Sequence, residues 1–281
     1  MLIYTIVVTY NGANFIRKCL SSIRESNIFS EVIVIDNNSS DATVSIIEKE
    51  FREVNLIVKE KNLGFGKANN LGLRKALAEG ADYVFLLNQD AWVEKETIEH
   101  LIRASKRYSE FAILSPMHFF NKSSLDFKFQ AYYERGKIIK EDLREVEFVN
   151  AAIWLIKTQD LVSYGLFNEV FDHYGEDIEF CRRYRSHKKK IGIVTTSIGF
   201  HERPQKDKLF EQKVIIRNLE IRILLALVRT EYQFLWGILE LFRILFLGNE
   251  NINRKKNLGA LDRIKYFYPT FKKYRSKTLK S

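Results

Sequence analysis

Four apolar runs of strand length alternate with helical patterns through the first ninety residues, and this alternation constrains the fold more than any other feature. Ile3 to Thr9 is a continuous apolar stretch, and a helix with Phe15, Cys19, Leu20 and Ile23 on one face follows it, with Asn14 as the expected cap. Val32 to Ile35 repeats the strand signal and ends at Asp36. Ser40 or Asp41 then caps a helix through Ile46, Ile47 and Phe51. Leu56 to Val58 is a short strand, Lys67 to Ala78 a helix, and Tyr83 to Leu87 the fourth strand. Short connections between such elements require parallel strands joined by right-handed crossovers. The loops after the strands therefore gather at one edge of a sheet, where open α/β folds bind ligands.

Beyond Tyr108 the pattern loosens into an irregular, partly antiparallel half. Strands are expected around Ile113-Leu114, Phe127 to Ala131 and Ile138-Ile139, with Phe148 to Lys157 as a central strand. Gly175-Glu176-Asp177 opens a helix, Ile191 to Val194 is a strand, and Ser197 to Phe200 leads into His201. The globular unit is expected to close near Pro204 to Leu209.

At 281 residues and 46% hydrophobic content the chain can bury a large core, and no low-complexity tract or repeat interrupts it. Cys19 and Cys181 sit in apolar helical patterns, and Met1-Leu2-Ile3-Tyr4 opens a strand without a basic leader. Both features read as a cytoplasmic chain with reduced thiols. The net charge of +10 is concentrated at one end: residues 250 to 281 hold ten Lys/Arg against Glu250 and Asp262, leaving +2 on residues 1 to 249. A nucleic-acid binder spreads its basic footprint over the folded face that docks, so no nucleic-acid partner is expected.

The residues at the strand ends carry the chemistry. Asp36 can accept a hydrogen bond from a pyrimidine ring N–H, and Asn37 can offer an amide to base or ribose. The same residues also suit an Asx turn before the next helix. Asp90 follows a buried strand through Asn88 and Gln89, a position suited to a metal and a phosphate, and equally to a turn. Gly64-Phe65-Gly66 lies between a strand and a helix, as in a dinucleotide-binding loop, but Asn69 stands where that fingerprint needs its third glycine. The dinucleotide reading is rejected.

Five ordered motifs resemble glycosyltransferase family 2 of the GT-A fold, especially its rhamnosyltransferase-like bacterial members. They are Thr5 to Asn11, Val32 to Asp41, Asn62 to Gly72, Asn88-Gln89-Asp90 and Gly175 to Arg183, within roughly the first 205 residues. The resemblance implies a Rossmann-like, mostly parallel sheet flanked by helices. It also implies an inverting enzyme that moves a sugar from a nucleoside diphosphate, UDP or dTDP, to an acceptor hydroxyl with Mn2+ or Mg2+. Nucleotide-sugar contacts would come from Thr9, Tyr10, Asn11, Asp36, Asn37, Asn62, Gly64, Lys67, Asn69, Asn88 and Gln89. Asp90 and His201 would hold the metal, and Asp177 would be the catalytic base. Asn88 departs from the family, which often places an acid there.

Residues 214 to 247 are apolar but broken by Arg217, Glu220, Arg222, Arg229, Glu231, Glu240 and Arg243, so no stretch approaches the roughly 20 apolar residues that span a bilayer. Their apolar surface, followed by the basic tail, favours peripheral attachment to the inner face of the cell membrane, with a homodimer through these helices as the alternative. The expected division is a catalytic domain over 1–208 and a helical, basic extension over 209–281. The expected function is sugar transfer to a lipid-linked glycan acceptor in surface polysaccharide synthesis. A nucleotide-sugar-binding protein with decayed chemistry and a sugar nucleotidyltransferase are the competing readings.

Overall fold

The computed structural model describes residues 1–172 and 174–202 together with Ile221 and Leu225, so the expectations for residues 209–281 otherwise fall outside the described residues. The chain divides into two compact units, residues 1–167 with 180–203, and residues 168–179 with 204–281.

The first unit is built on strands β1 (Ile3–Thr9), β2 (Glu31–Asp36), β3 (Asn55–Val58), β4 (Tyr83–Asn88), β5 (Ala91–Val93), β6 (Phe111–Asn121), β7 (Ser124–Leu125), β8 (Lys137–Lys140), β9 (Leu143–Val146), β10 (Ile153–Lys157) and β11 (Lys190–His201). They form one sheet in the order β3-β2-β1-β4-β10-β6-β11-β9-β8, with β5 on β11 and β7 on β6. The first four neighbours, β3, β2, β1 and β4, are parallel, and β10 runs antiparallel between β4 and β6. The helices are α1 (Ile16–Arg24), α2 (Thr43–Glu50), α3 (Phe65–Ala78), α4 (Thr97–Arg107), α5 (Phe127–Glu134), α6 (Thr158–Tyr164) and α7 (Glu176–Ser186). This is an α/β fold with the expected strand and helix alternation in its first half.

The period of two along each strand assigns the helices to faces. Ile3, Val7, Val34, Phe85 and Leu87 share a core with α1, α2 and α4. Tyr4, Ile6, Ile33, Ile35, Val84 and Leu86 share the opposite core with α3, α6 and the later residues of α7. Strands covered on both faces need apolar residues at every position, which is why β1 and β4 read as unbroken runs. Trp154, fully buried on β10, stacks against Phe167 with ring centres 6.2 Å apart. Asn70 of α3 locks the segment after α6, donating to the Phe167 carbonyl at 2.9 Å and accepting its amide at 3.0 Å.

Three local expectations are corrected. Residues 127 to 131 are not a strand: Asp126 accepts the Lys128 and Phe129 amides, each at 2.9 Å, and caps α5. Within residues 148 to 157 only Ile153–Lys157 is extended. Helix α1 begins at Ile16 with no side-chain cap, so Asn14 does not serve as one.

The second unit holds a small core of its own, in which Val170, Phe171 and Leu225 are buried with Ile178 and Ile221 against them. Gly175 opens α7 at φ +93°, and a Cβ there would meet Ile221 and Phe171 at 2.7 and 3.1 Å, so glycine is required on both counts.

Candidate active site

Parallel register gathers the site. Thr9 lies opposite Asp36 and Val8 opposite Asn88, so β1, β2 and β4 end together and their following residues occupy one edge. The loops there are tied to each other rather than to the core. Gln89 accepts from the Thr9 hydroxyl at 2.6 Å and the Tyr10 amide at 2.9 Å, and donates to the Tyr10 carbonyl at 3.2 Å. Gly12 is needed beneath it, because a Cβ would run into the Gln89 amide and, at 2.7 Å, the Thr9 hydroxyl.

Asp36 is fully buried, and both carboxylate oxygens accept from Ser39, one from the amide and one from the hydroxyl. Asn37 accepts the Leu63 amide at 3.2 Å and donates to the Gly64 carbonyl at 3.4 Å, while its own amide bonds to Thr9. One asparagine thereby ties the second and third loops to the first. Asn11, exposed at φ 48°, accepts the Ser40 amide at 2.8 Å. Asn62 accepts the Gly64 amide at 2.8 Å, and Gly64 at φ +80° turns the chain into α3, whose first turn carries Lys67. Asn69 is buried and donates to the Phe65 carbonyl at 3.0 Å within that helix. Of the expected nucleotide contacts, Tyr10, Asn11 and Asn62 are exposed, and Asn88 and Lys67 are half-buried.

Asp90 and His201, 111 positions apart in sequence, are brought together by β5. That short strand pairs antiparallel with β11, setting His201 opposite Ala91, and Glu202 donates its amide to the Asp90 carbonyl at 2.9 Å. Asp90 Oδ1 then lies 3.5 Å from His201 Nε2, with the His201 side chain 5% and the Asp90 side chain 18% exposed. A carboxylate oxygen and an imidazole nitrogen at that separation can share one cation, and the mixed set suits Mn2+ better than Mg2+. Among the described residues no group of three acidic, cysteine or histidine side chains converges on a metal position. Asp90 and His201 alone could therefore supply part of a cation's coordination, with phosphate oxygens and water as the remaining ligands.

Two residues that sequence reasoning passed over adjoin this pair. His118 of β6 stands edge-on to His201 with ring centres 6.2 Å apart, and Asp126 Oδ2 lies 3.9 Å from His201 Nδ1. The signal for Asp126 was its cap position ahead of α5, which the strand reading of residues 127 to 131 concealed. Under the site, Cys19 of α1 donates weakly to the Asn88 carbonyl at 3.5 Å. Burial, with the nearby Asp90 carboxylate adding to it, pushes its thiol well up.

Asp177 stands in the first turn of α7 in the second unit, half-buried, where its Oδ1 accepts the Ile178 amide at 2.8 Å. Glu176 beside it is buried.

A parallel sheet edge that carries Asp36, the Gly64 turn and Asp90 beside a histidine defines an α/β fold with a polar carboxyl edge. The family model described as glycosyl transferase family 2 matches residues 4–164, more than half the chain, and the chain belongs to that family. It is 30% identical to the glycosyltransferase GlyA of Streptococcus pneumoniae over 59% of its own length and 23% of GlyA. It is 27% identical to the low-salt glycan biosynthesis hexosyltransferase Agl10 of Haloferax volcanii (73% and 69%). With the dTDP-rhamnosyl transferase RfbF of Shigella flexneri it shares 28% identity (68% and 66%). Among solved structures, Staphylococcus aureus TarS matches with a TM-score of 0.63 at 21% identity, covering 91% of this chain and 46% of TarS, and so shares the GT-A fold. The chain thus spans about a quarter of GlyA and under half of TarS.

Proposed function

We propose that this glycosyltransferase is inverting and metal-assisted, and that it moves a hexose, rhamnose among the candidates, from UDP or dTDP to a hydroxyl of a lipid-linked glycan during surface polysaccharide synthesis. The observation that carries the reading is the juxtaposition of Asp90 and His201 at the same sheet edge as Asp36. The relatives support the donor class: RfbF is named for dTDP-rhamnose, and a TarS structure at TM-score 0.61 contains UDP-GlcNAc.

Asp36, held by Ser39, is placed in the role of reading the pyrimidine N–H, and Asn37 fixes the Gly64 turn against which the nucleoside would rest. Asp90 and His201 would hold the cation, which when bound neutralises charge developing on the departing diphosphate. Asp177 is assigned the base that removes the acceptor proton as the hydroxyl attacks, an assignment resting on its motif. The extension beyond residue 209 is assigned to the inner membrane surface.

Two variants test the reading. Asp90→Ala should abolish Mn2+-dependent binding of UDP or dTDP in titration calorimetry while the fold persists, and unchanged nucleotide affinity would overturn the metal assignment. Asp177→Asn should lower turnover by roughly a hundredfold or more with donor affinity nearly unchanged. A product with retained anomeric configuration would refute single displacement.

A further inference from the structure

His201 lies between two carboxylates. Its Nε2 faces Asp90 Oδ1 at 3.5 Å, its Nδ1 faces Asp126 Oδ2 at 3.9 Å, and among the described residues the buried Nδ1 makes no hydrogen bond. Asp126 is 1% exposed and gripped from both ends. Its Oδ1 accepts the Lys128 and Phe129 amides at 2.9 Å, and its own amide donates to the His118 carbonyl at 2.9 Å. His118 in turn stacks on Phe129 at 4.6 Å and stands edge-on to His201, with its Nε2 2.8 Å from the Ser115 hydroxyl. The first turn of α5, His118 and His201 are therefore packed as one block.

A neutral imidazole has one proton to place. A cation can take a ring nitrogen only through its lone pair, so a ligand at Nε2 requires the proton on Nδ1. A carboxylate on the Nδ1 side favours that tautomer and makes Nε2 the better donor. At 3.9 Å the Asp126 contact is longer than a hydrogen bond, but in a buried setting a charge at that range biases where the proton sits.

We propose that Asp126 is a positioning residue that holds His201 in its Nδ1–H form and presents Nε2, beside Asp90, to a divalent cation. The inference rests on the metal reading above and deepens it. A purely structural Asp126 would cap α5 without bearing on His201, so the test keeps the cap and alters the group that faces His201. Asp126→Asn retains the capping oxygen and turns an N–H toward Nδ1, and Asp126→Ser retains a capping hydroxyl with no charge.

The experiment uses the full chain with 15N-labelled histidine, the His201 signals being assigned by their loss in His201→Gln. In metal-free wild-type protein His201 is expected as the Nδ1–H tautomer, and in Asp126→Asn as Nε2–H. Mn2+ affinity, read by electron paramagnetic resonance in the presence of UDP, is expected to fall about 10- to 100-fold in both variants, with melting curves showing both folded at the assay temperature. A wild-type Nε2–H or doubly protonated ring, an unchanged tautomer in Asp126→Asn, or unchanged Mn2+ affinity in the two folded variants overturns the proposal. If Asp90→Ala leaves Mn2+ affinity untouched, the metal reading itself has failed. The metal-free tautomer still decides the role of Asp126 in that case.

Discussion

At the scale of single residues, much of this site is devoted to holding itself together. Gln89 spends both ends of its amide on Thr9 and Tyr10, so its effect on a donor is exerted through the shape of the first loop. Replacing it by Met preserves bulk and removes all three bonds. The Thr9 hydroxyl and Tyr10 amide would then be unpaired unless water reaches them, and Gln89→Met is expected to cost about 1–3 kcal/mol in urea unfolding. A loss within error of zero would show that solvent replaces the clamp freely. Cys19 gives a second expectation at this scale. With its thiol buried and its ionisation suppressed by burial and by Asp90, it should resist iodoacetamide at pH 8 in the native protein and react only after denaturation, as mass spectrometry can show.

At the scale of elements, the parts legible in the sequence are those whose signal is local and continuous. The unbroken runs of β1, β2 and β4 and the polar residues closing them suffice to place Asp36 and Asp90 on one edge. Residues 127 to 131 misled because Phe127, Phe129 and Ala131 alternate with Lys128 and Gln130 as a strand would, whereas the Asp126 carboxylate, accepting two backbone amides, decides for helix. Strand β5 has three residues and gains its identity only from β11, more than a hundred positions away, so the meeting of Asp90 with His201 could be suggested by a family motif but not by periodicity. Helix packing is similarly nonlocal. Gly72 of α3 sits so close to β1 that a Cβ would meet Ile6 Cγ2 at 2.7 Å, and Gly72→Ala is expected to destabilise by about 1–3 kcal/mol despite better helix propensity. The loop from β2 into α2 also carries a pH response. Burial acts to raise the Asp41 carboxyl, but hydrogen bonds from the Thr43 hydroxyl and the Ala13 and Thr43 amides outweigh it and hold it below the ordinary carboxylate value. A carboxylate depressed in the folded state stabilises above its unfolded pKa, near 4, and loses that contribution as pH falls through the folded value. The melting temperature should therefore drop as pH is lowered from about 5 toward 3, and Asp41→Asn should flatten part of that slope.

At the scale of the whole molecule, the imbalance of charge is the property that local packing does not explain. Residues 254 to 280 carry ten basic side chains, while residues 1 to 249 are nearly neutral at +2. No described helix is long and apolar enough to cross a bilayer, and the basic segment lies outside the described residues, so the expectation of surface attachment comes from composition. Each Lys or Arg near an anionic leaflet is worth roughly 1 kcal/mol, enough in sum for reversible binding even if only some engage. Removing the segment by truncation near residue 210 would be a poor test, because Ile221 and Leu225 pack on Val170, Phe171 and Ile178, and their loss would uncover the small core next to Asp177. Neutralising the tail in place avoids this. With the ten Lys/Arg of residues 254 to 280 changed to Gln, flotation with vesicles containing anionic lipid should lose most of the binding seen for the unaltered chain. Wild-type binding should itself weaken as salt is raised, since exposed charges are screened over a Debye length of about 8 Å at physiological ionic strength. Turnover on a soluble acceptor should be preserved in the neutralised chain, because the tail would serve to bring the enzyme to its acceptor rather than to do the chemistry. Flotation that ignores both salt and lipid charge would assign the segment instead to a protein interface, with a dimer in sedimentation as its signature.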